Sequence, residues 1–192
     1  MNNNNLKFTT KELTLISVFS SVWIVSQIYL GPWIGQITQQ HSIINRIVGW
    51  LLMLVLAELT GRFGRVTAMS FIAAFATRIV RRSASLYALT VGLGYALAGF
   101  IFDMLFFLPY TESLGGKTRK AYLLAASIIS GIIALVPYLI FKFSMLSPYG
   151  FLALLPKYAY SLGKGTLLSF LGTFIGLSLM PKIEIWKAKI RT

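Results

Sequence analysis

Arg78, Arg81 and Arg82 open the stretch RIVRRSASLYALT at residues 78–90, while Arg46 and Lys164 stand inside apolar runs. Placed on helices, all five fall toward one end of the molecule. A cation inside an apolar bundle costs at least about 2.5 kcal/mol at the helix centre, so it calls for a partner or a wet cavity. The acids are elsewhere: Glu58 and Asp103 fall near the opposite ends of their runs, and Glu12, Glu112 and Glu184 flank that opposite face. Unpaired cations of this kind suit a ligand carrying carboxylate or phosphate. Snorkelling to anionic lipid head groups is the competing explanation.

Aromatic and amide side chains add contacts of the type that hold a flat heterocycle. Trp33, Gln36, His41 and Asn45 lie in or just after the first connection on the cationic side, and Tyr87, Tyr95, Tyr138 and Tyr160 follow later in the chain. With Arg46, Arg78, Arg81 and Lys164 they form the candidate substrate-binding set. Interfacial belts of Trp and Tyr account for such rings equally well without a ligand.

Catalytic groups are scarce, with five acids, one histidine and no cysteine among 192 residues. The G-x-G in GLGYALAG, residues 92–99, lies inside an apolar run with no preceding strand, and SLGKGT at 161–166 lacks P-loop spacing. No nucleophile elbow or H-E-x-x-H pattern occurs. A lone His41 does not make a metal site. The sequence therefore points away from an enzyme, with no catalytic residue, metal or cofactor expected.

The elements that carry these residues are membrane helices. A chain that is 56% hydrophobic and 12% charged, with a mean hydropathy of +0.73, lies outside the range of soluble domains. Its fold class is expected to be an all-α integral membrane protein, a single six-helix transmembrane bundle. The spans run over about 11–30, 43–60, 66–80, 85–108, 121–143 and 157–180. Pro137 should kink the fifth, and Thr10 is a plausible N-cap for the first. Residues 31–42 read as a loop, and the apolar piece between Pro148 and Pro156 as an interfacial or re-entrant segment. Residues 1–10 are expected to be a disordered polar start, 11–181 the transmembrane domain, and 182–192 a basic cytoplasmic tail.

Lysine and arginine counts orient the bundle. With both termini inside, 11 cations lie on the cytoplasmic side and 5 outside, which obeys the positive-inside bias. The net charge of +13 is therefore spread over helix ends, and anionic lipid is a better partner for it than nucleic acid. Small residues at four-residue spacing form seams along several helices, including Ser17 and Ser21 with Ser20 beside them.

In KELTLISVFSSVWIVSQIYLGPW, continuing through ELTGRFGRVTAMSFIAAFATRI, the chain resembles the substrate-binding S-components of energy-coupling factor (ECF) transporters, the prokaryotic vitamin importers. Those proteins carry an alanine-x-x-x-alanine motif on helix 1, whose positions Ser17 and Ser21 fill here. The resemblance implies a multi-pass plasma-membrane protein that binds a small water-soluble vitamin at the extracellular face. It implies docking through Ser17, Ser20 and Ser21 onto a transmembrane scaffold (T) subunit, which binds two cytoplasmic ATPases. A different class is also compatible with the residues: a non-transporting assembly protein that works through its small-residue helix faces.

Overall fold

Local capping chemistry sets where the helices start. The Thr9 hydroxyl accepts from the Glu12 amide at 3.2 Å, and the Glu12 carboxylate accepts from the Thr9 amide at 2.8 Å. This capping box starts α1, Thr10–Val25, one residue before the position expected from Thr10. Ser85 caps α5 with a single bond, accepting from the Ala88 amide at 3.2 Å. The structure is a computed structural model that describes residues 7–38, 43–81, 85–108 and 114–181.

Every element among the described residues is helical. After α1, the chain continues through a π-helical turn, Ser26–Leu30, into α2, Gly31–Thr38. The segment expected to be a loop is thus helical up to Thr38. The reason lies at Pro32, whose ring would meet the carbonyl of residue 28 in a regular helix. The wider π turn gives the backbone room to pass it. Next come α3, Ile43–Thr60, and α4, Arg65–Val80, joined by a tight turn in which Gly61 and Gly64 take φ of 59° and 91°.

The remaining helices are α5, Leu86–Phe106; α6, Gly116–Ile133; α7, Val136–Met145; α8, Pro148–Ala153; and α9, Leu155–Ser178. Pro137 divides α7 from α6 at Ala134–Leu135, as its missing N–H requires. Between Pro148 and Pro156 the chain forms the short α8 and then the start of α9.

The long helices close into a ring. Helix α1 packs on α4, α4 on α5, α5 on α6 and α7, α6 on α9, α9 on α3, and α3 back on α1. Helix α3 also reaches α4 and α5, so it runs nearest the centre, and Trp50, Met53, Leu54, Leu56 and Ala57 are fully buried on it. Both core indoles satisfy their N–H groups: Trp23 donates to the Asn45 carbonyl at 3.2 Å and Trp50 to the Ser127 carbonyl at 3.0 Å. Val18, Val22, Phe71, Phe100 and Phe174 point outward, as lipid-facing side chains should.

Four segments are long and apolar enough to cross a bilayer: Thr10–Thr38, Ile43–Thr60, Leu86–Phe106 and Gly116–Met145. The chain is therefore a membrane protein. The other two members of the ring are not in that set, because α4 has only 16 residues and α9 is diluted by Lys164 and four glycines.

Candidate functional site

The two ends of the ring differ in charge. At one end, among the described residues, lie the three acids, each engaged with a neighbouring helix. Glu12 pairs with Arg65 at 3.0 Å and with Arg62 at 3.4 Å, and Glu58 pairs with Arg119. Asp103 on α5 accepts from the Gly64 amide at 2.7 Å, the Thr67 amide at 3.1 Å and the Thr67 hydroxyl at 2.8 Å, so it caps the start of α4 from across the interface. The opposite end carries Arg46, Arg78, Arg81 and Lys164, with no described acid near them.

Arg46, one turn into α3, is the buried member of that set at 8% exposure, and its Nη1 has no hydrogen-bond partner. It lines a cavity of about 210 Å³ with Tyr87, Val91 and Tyr95 of α5, Ala134, Leu135 and Tyr138 at the α6–α7 break, and Ser161 of α9. Tyr87 and Ser161 are exposed and mark the mouth; Arg46, Tyr95 and Ala134 are buried and mark the floor. Two buried indoles brace Tyr95 edge-on, Trp23 at 5.8 Å and Trp50 at 6.4 Å between ring centroids. Tyr138 meets Tyr87 edge-on at 5.6 Å and Tyr158 at 6.1 Å.

Space for the guanidinium comes from Gly165 on α9. A Cβ there would lie 2.9 Å from the Arg46 Cζ, closer than real contacts allow. Tyr158, seven residues earlier on the same helix, has a buried hydroxyl with no partner.

Four of the residues anticipated from sequence thus meet at one cavity: Arg46, Tyr87, Tyr95 and Tyr138. The others lie elsewhere. Arg78 spends its Nε on the Ala88 carbonyl at 2.8 Å, tying α4 to α5, and Arg81 donates to the Gln27 carbonyl, tying α4 to the π turn. Asn45 packs against Gly31, and Lys164 is half-buried, close enough to Arg46 for their charges to interact but outside the lining. Trp33, Gln36 and Tyr160 are exposed and do not line the cavity. His41 and Arg82 fall outside the described residues.

On α1, Ser17 and Ser21 are exposed, whereas Ser20 is buried and donates to the Met69 carbonyl at 3.3 Å. Ser20 therefore belongs to the α1–α4 contact and not to an outward face. Of the lining residues missed from sequence, Val91, Ala134, Leu135 and Ser161, the first and last did leave a signal. Tyr87, Val91 and Tyr95 recur every four residues, and Tyr158, Ser161 and Gly165 at three and four, so each triplet shares a helix face. Comparisons of the chain with protein-family models, curated proteins and solved structures found no match.

Proposed function

We propose that this protein is the substrate-specific membrane component of an ECF-type importer. In this reading it has six spans with both termini cytoplasmic, and it takes up a small anionic micronutrient at its outer face. The observation that carries the reading is the Arg46 Nη1, buried without a partner on a 210 Å³ cavity at the end where no described acid lies. A buried cation without a counter-ion is costly, and an anionic ligand supplies what the fold leaves out. The polar clasps at the acid-bearing end, the cytoplasmic end in this orientation, keep that end shut while solute enters opposite. Movement of solute would then rely on a scaffold subunit and two ATPases, for which Ser17 and Ser21 on the exposed face of α1 offer a close-packing surface.

Native mass spectrometry of the protein extracted gently from its host membrane tests this directly. A small anionic adduct together with a scaffold protein and ATPases supports the reading; a chain that carries only phospholipid and no partners overturns it. Two substitutions separate binding from delivery. Ser17→Leu and Ser21→Leu are expected to reduce uptake by more than tenfold while ligand affinity stays unchanged, measured by cell uptake and by titration of the purified protein. Gly165→Ala is expected to do the reverse: it keeps the fold, because the displaced guanidinium is the end of a flexible side chain, and weakens ligand binding by about tenfold, a loss of about 1.4 kcal/mol.

A further inference from the structure

The cavity also limits the kind of anion it can hold. Its volume of about 210 Å³ is modest: an apolar cavity of about 150 Å³ accommodates benzene, so this one has room for a single six-membered ring and one small substituent. A second fused ring or an attached sugar would have to extend out through the mouth at Tyr87 and Ser161, away from the Arg46 floor. The walls are rings and alkyl groups, Tyr87, Tyr95 and Tyr138 with Val91 and Leu135, which favour a flat apolar body packed against ring edges.

The hydroxyls of Tyr87, Tyr95, Tyr138 and Ser161 add polar contacts to the lining, while the unmet demand of buried groups beside it is narrow. Arg46 contributes one buried guanidinium, whose Nη1 is unpartnered, and one nearby hydroxyl, that of Tyr158, is buried and unpartnered. Tyr158 is placed beside the cavity by its edge-on contact with Tyr138 and by Ser161, one turn further along α9. One guanidinium neutralises one negative charge. A dianion would leave a net charge in a poorly solvated site, and a neutral ligand would leave the Arg46 charge unmatched. Lys164 adds positive potential at Arg46, but it is half-exposed and outside the lining, where water screens its charge from a ligand on the cavity floor.

We infer that the Arg46 cavity selects a monocarboxylate carried on a single aromatic or heteroaromatic ring, with the carboxylate on the Arg46 guanidinium and the ring against Tyr87, Tyr95 and Tyr138. This inference rests on the proposed role of the cavity as a binding site for anions, and it narrows the class of anion. It predicts discrimination along two axes, charge and ring number.

The test is calorimetric titration of the full chain in phosphatidylcholine nanodiscs, where no anionic lipid competes, with benzoate, benzamide, 2-naphthoate and phenyl phosphate. Benzoate is expected to bind one to one, and benzamide and 2-naphthoate each at least tenfold more weakly. Arg46→Met should reduce benzoate affinity at least tenfold, and Arg46→Lys should retain part of it. Ser161→Phe fills the cavity from the mouth and leaves Arg46 itself in place; it should abolish benzoate binding while helicity and thermal midpoint stay unchanged, which separates occlusion from misfolding. If phenyl phosphate or 2-naphthoate binds more tightly than benzoate in an Arg46-dependent manner, the class assigned here is wrong and the anion-binding role stands. If none of the anions binds in a manner that depends on Arg46, both fall.

Discussion

Replacing Arg46 with methionine is expected to make the protein more stable by about 1–3 kcal/mol while eliminating its anion binding. The two effects share one cause. In the free protein the guanidinium is 8% exposed, has an unpartnered Nη1 and is surrounded by α3, α9 and the ring wall of the cavity. A methionine keeps the apolar stem of the side chain, gives up the guanidinium contact with Gly165 and removes the uncompensated charge. Thermal unfolding in detergent, followed by circular dichroism with and without ligand, checks both halves: the substituted protein should melt higher when empty, and ligand should no longer raise its midpoint. A lower midpoint would mean that Arg46 is a structural cation with a partner, and its role as a receptor for anions would fail.

At the other end the same substitution should act with the opposite sign. Arg65→Met is expected to cost about 3–5 kcal/mol, because it strands a buried carboxylate. Arg65 is 1% exposed and donates to the Glu12 carboxylate at 3.0 Å, to the Lys7 carbonyl at 2.9 Å and to the Phe63 carbonyl at 2.8 Å, with its guanidinium 4.5 Å from the Phe8 ring centroid. Without it, Glu12 keeps the Thr9 amide and the half-exposed Arg62, 3.4 Å away. The check is the detergent-unfolding midpoint of Arg65→Met with and without Glu12→Gln. Neutralising the stranded acid should recover more than 1 kcal/mol of the loss, whereas additive effects would show that the pair contributes nothing jointly.

Sequence reasoning located most helices because their signals are local. Ser85 caps α5, Pro137 breaks the fifth segment, and the glycines of GRFG turn the chain between α3 and α4. It misread residues 31–38, where the effect of Pro32 is absorbed by a π turn that no single residue announces. The site was legible in its chemistry and less so in its geometry. Arg46 stood out as a cation in an apolar run, but only the packing of α3 on α9 shows that Gly165 makes room for it. Arg78 and Arg81 resembled ligand cations in composition; their backbone carbonyl acceptors, Ala88 and Gln27, come from other elements and leave no mark in the spacing of RIVRR. Trp33 and Tyr160 face outward because the faces they share are set by helix rotation, which composition does not encode.

The unequal ends of the ring give the molecule a built-in order of unzipping. Glu12, Glu58 and Asp103 stitch α1, α3, α4, α5 and α6 together at one end, while α7 and α8 beside the cavity contribute no buried residue. Under heat or harsh detergent the seam should part from the Tyr138 side first and run toward Asp103. Amide protons of α7 and α8 would then exchange well before those of the inner halves of α3 and α4. A solute held across Arg46 and Tyr138 would act as a staple on the loose end, so its departure and the start of that parting are one event.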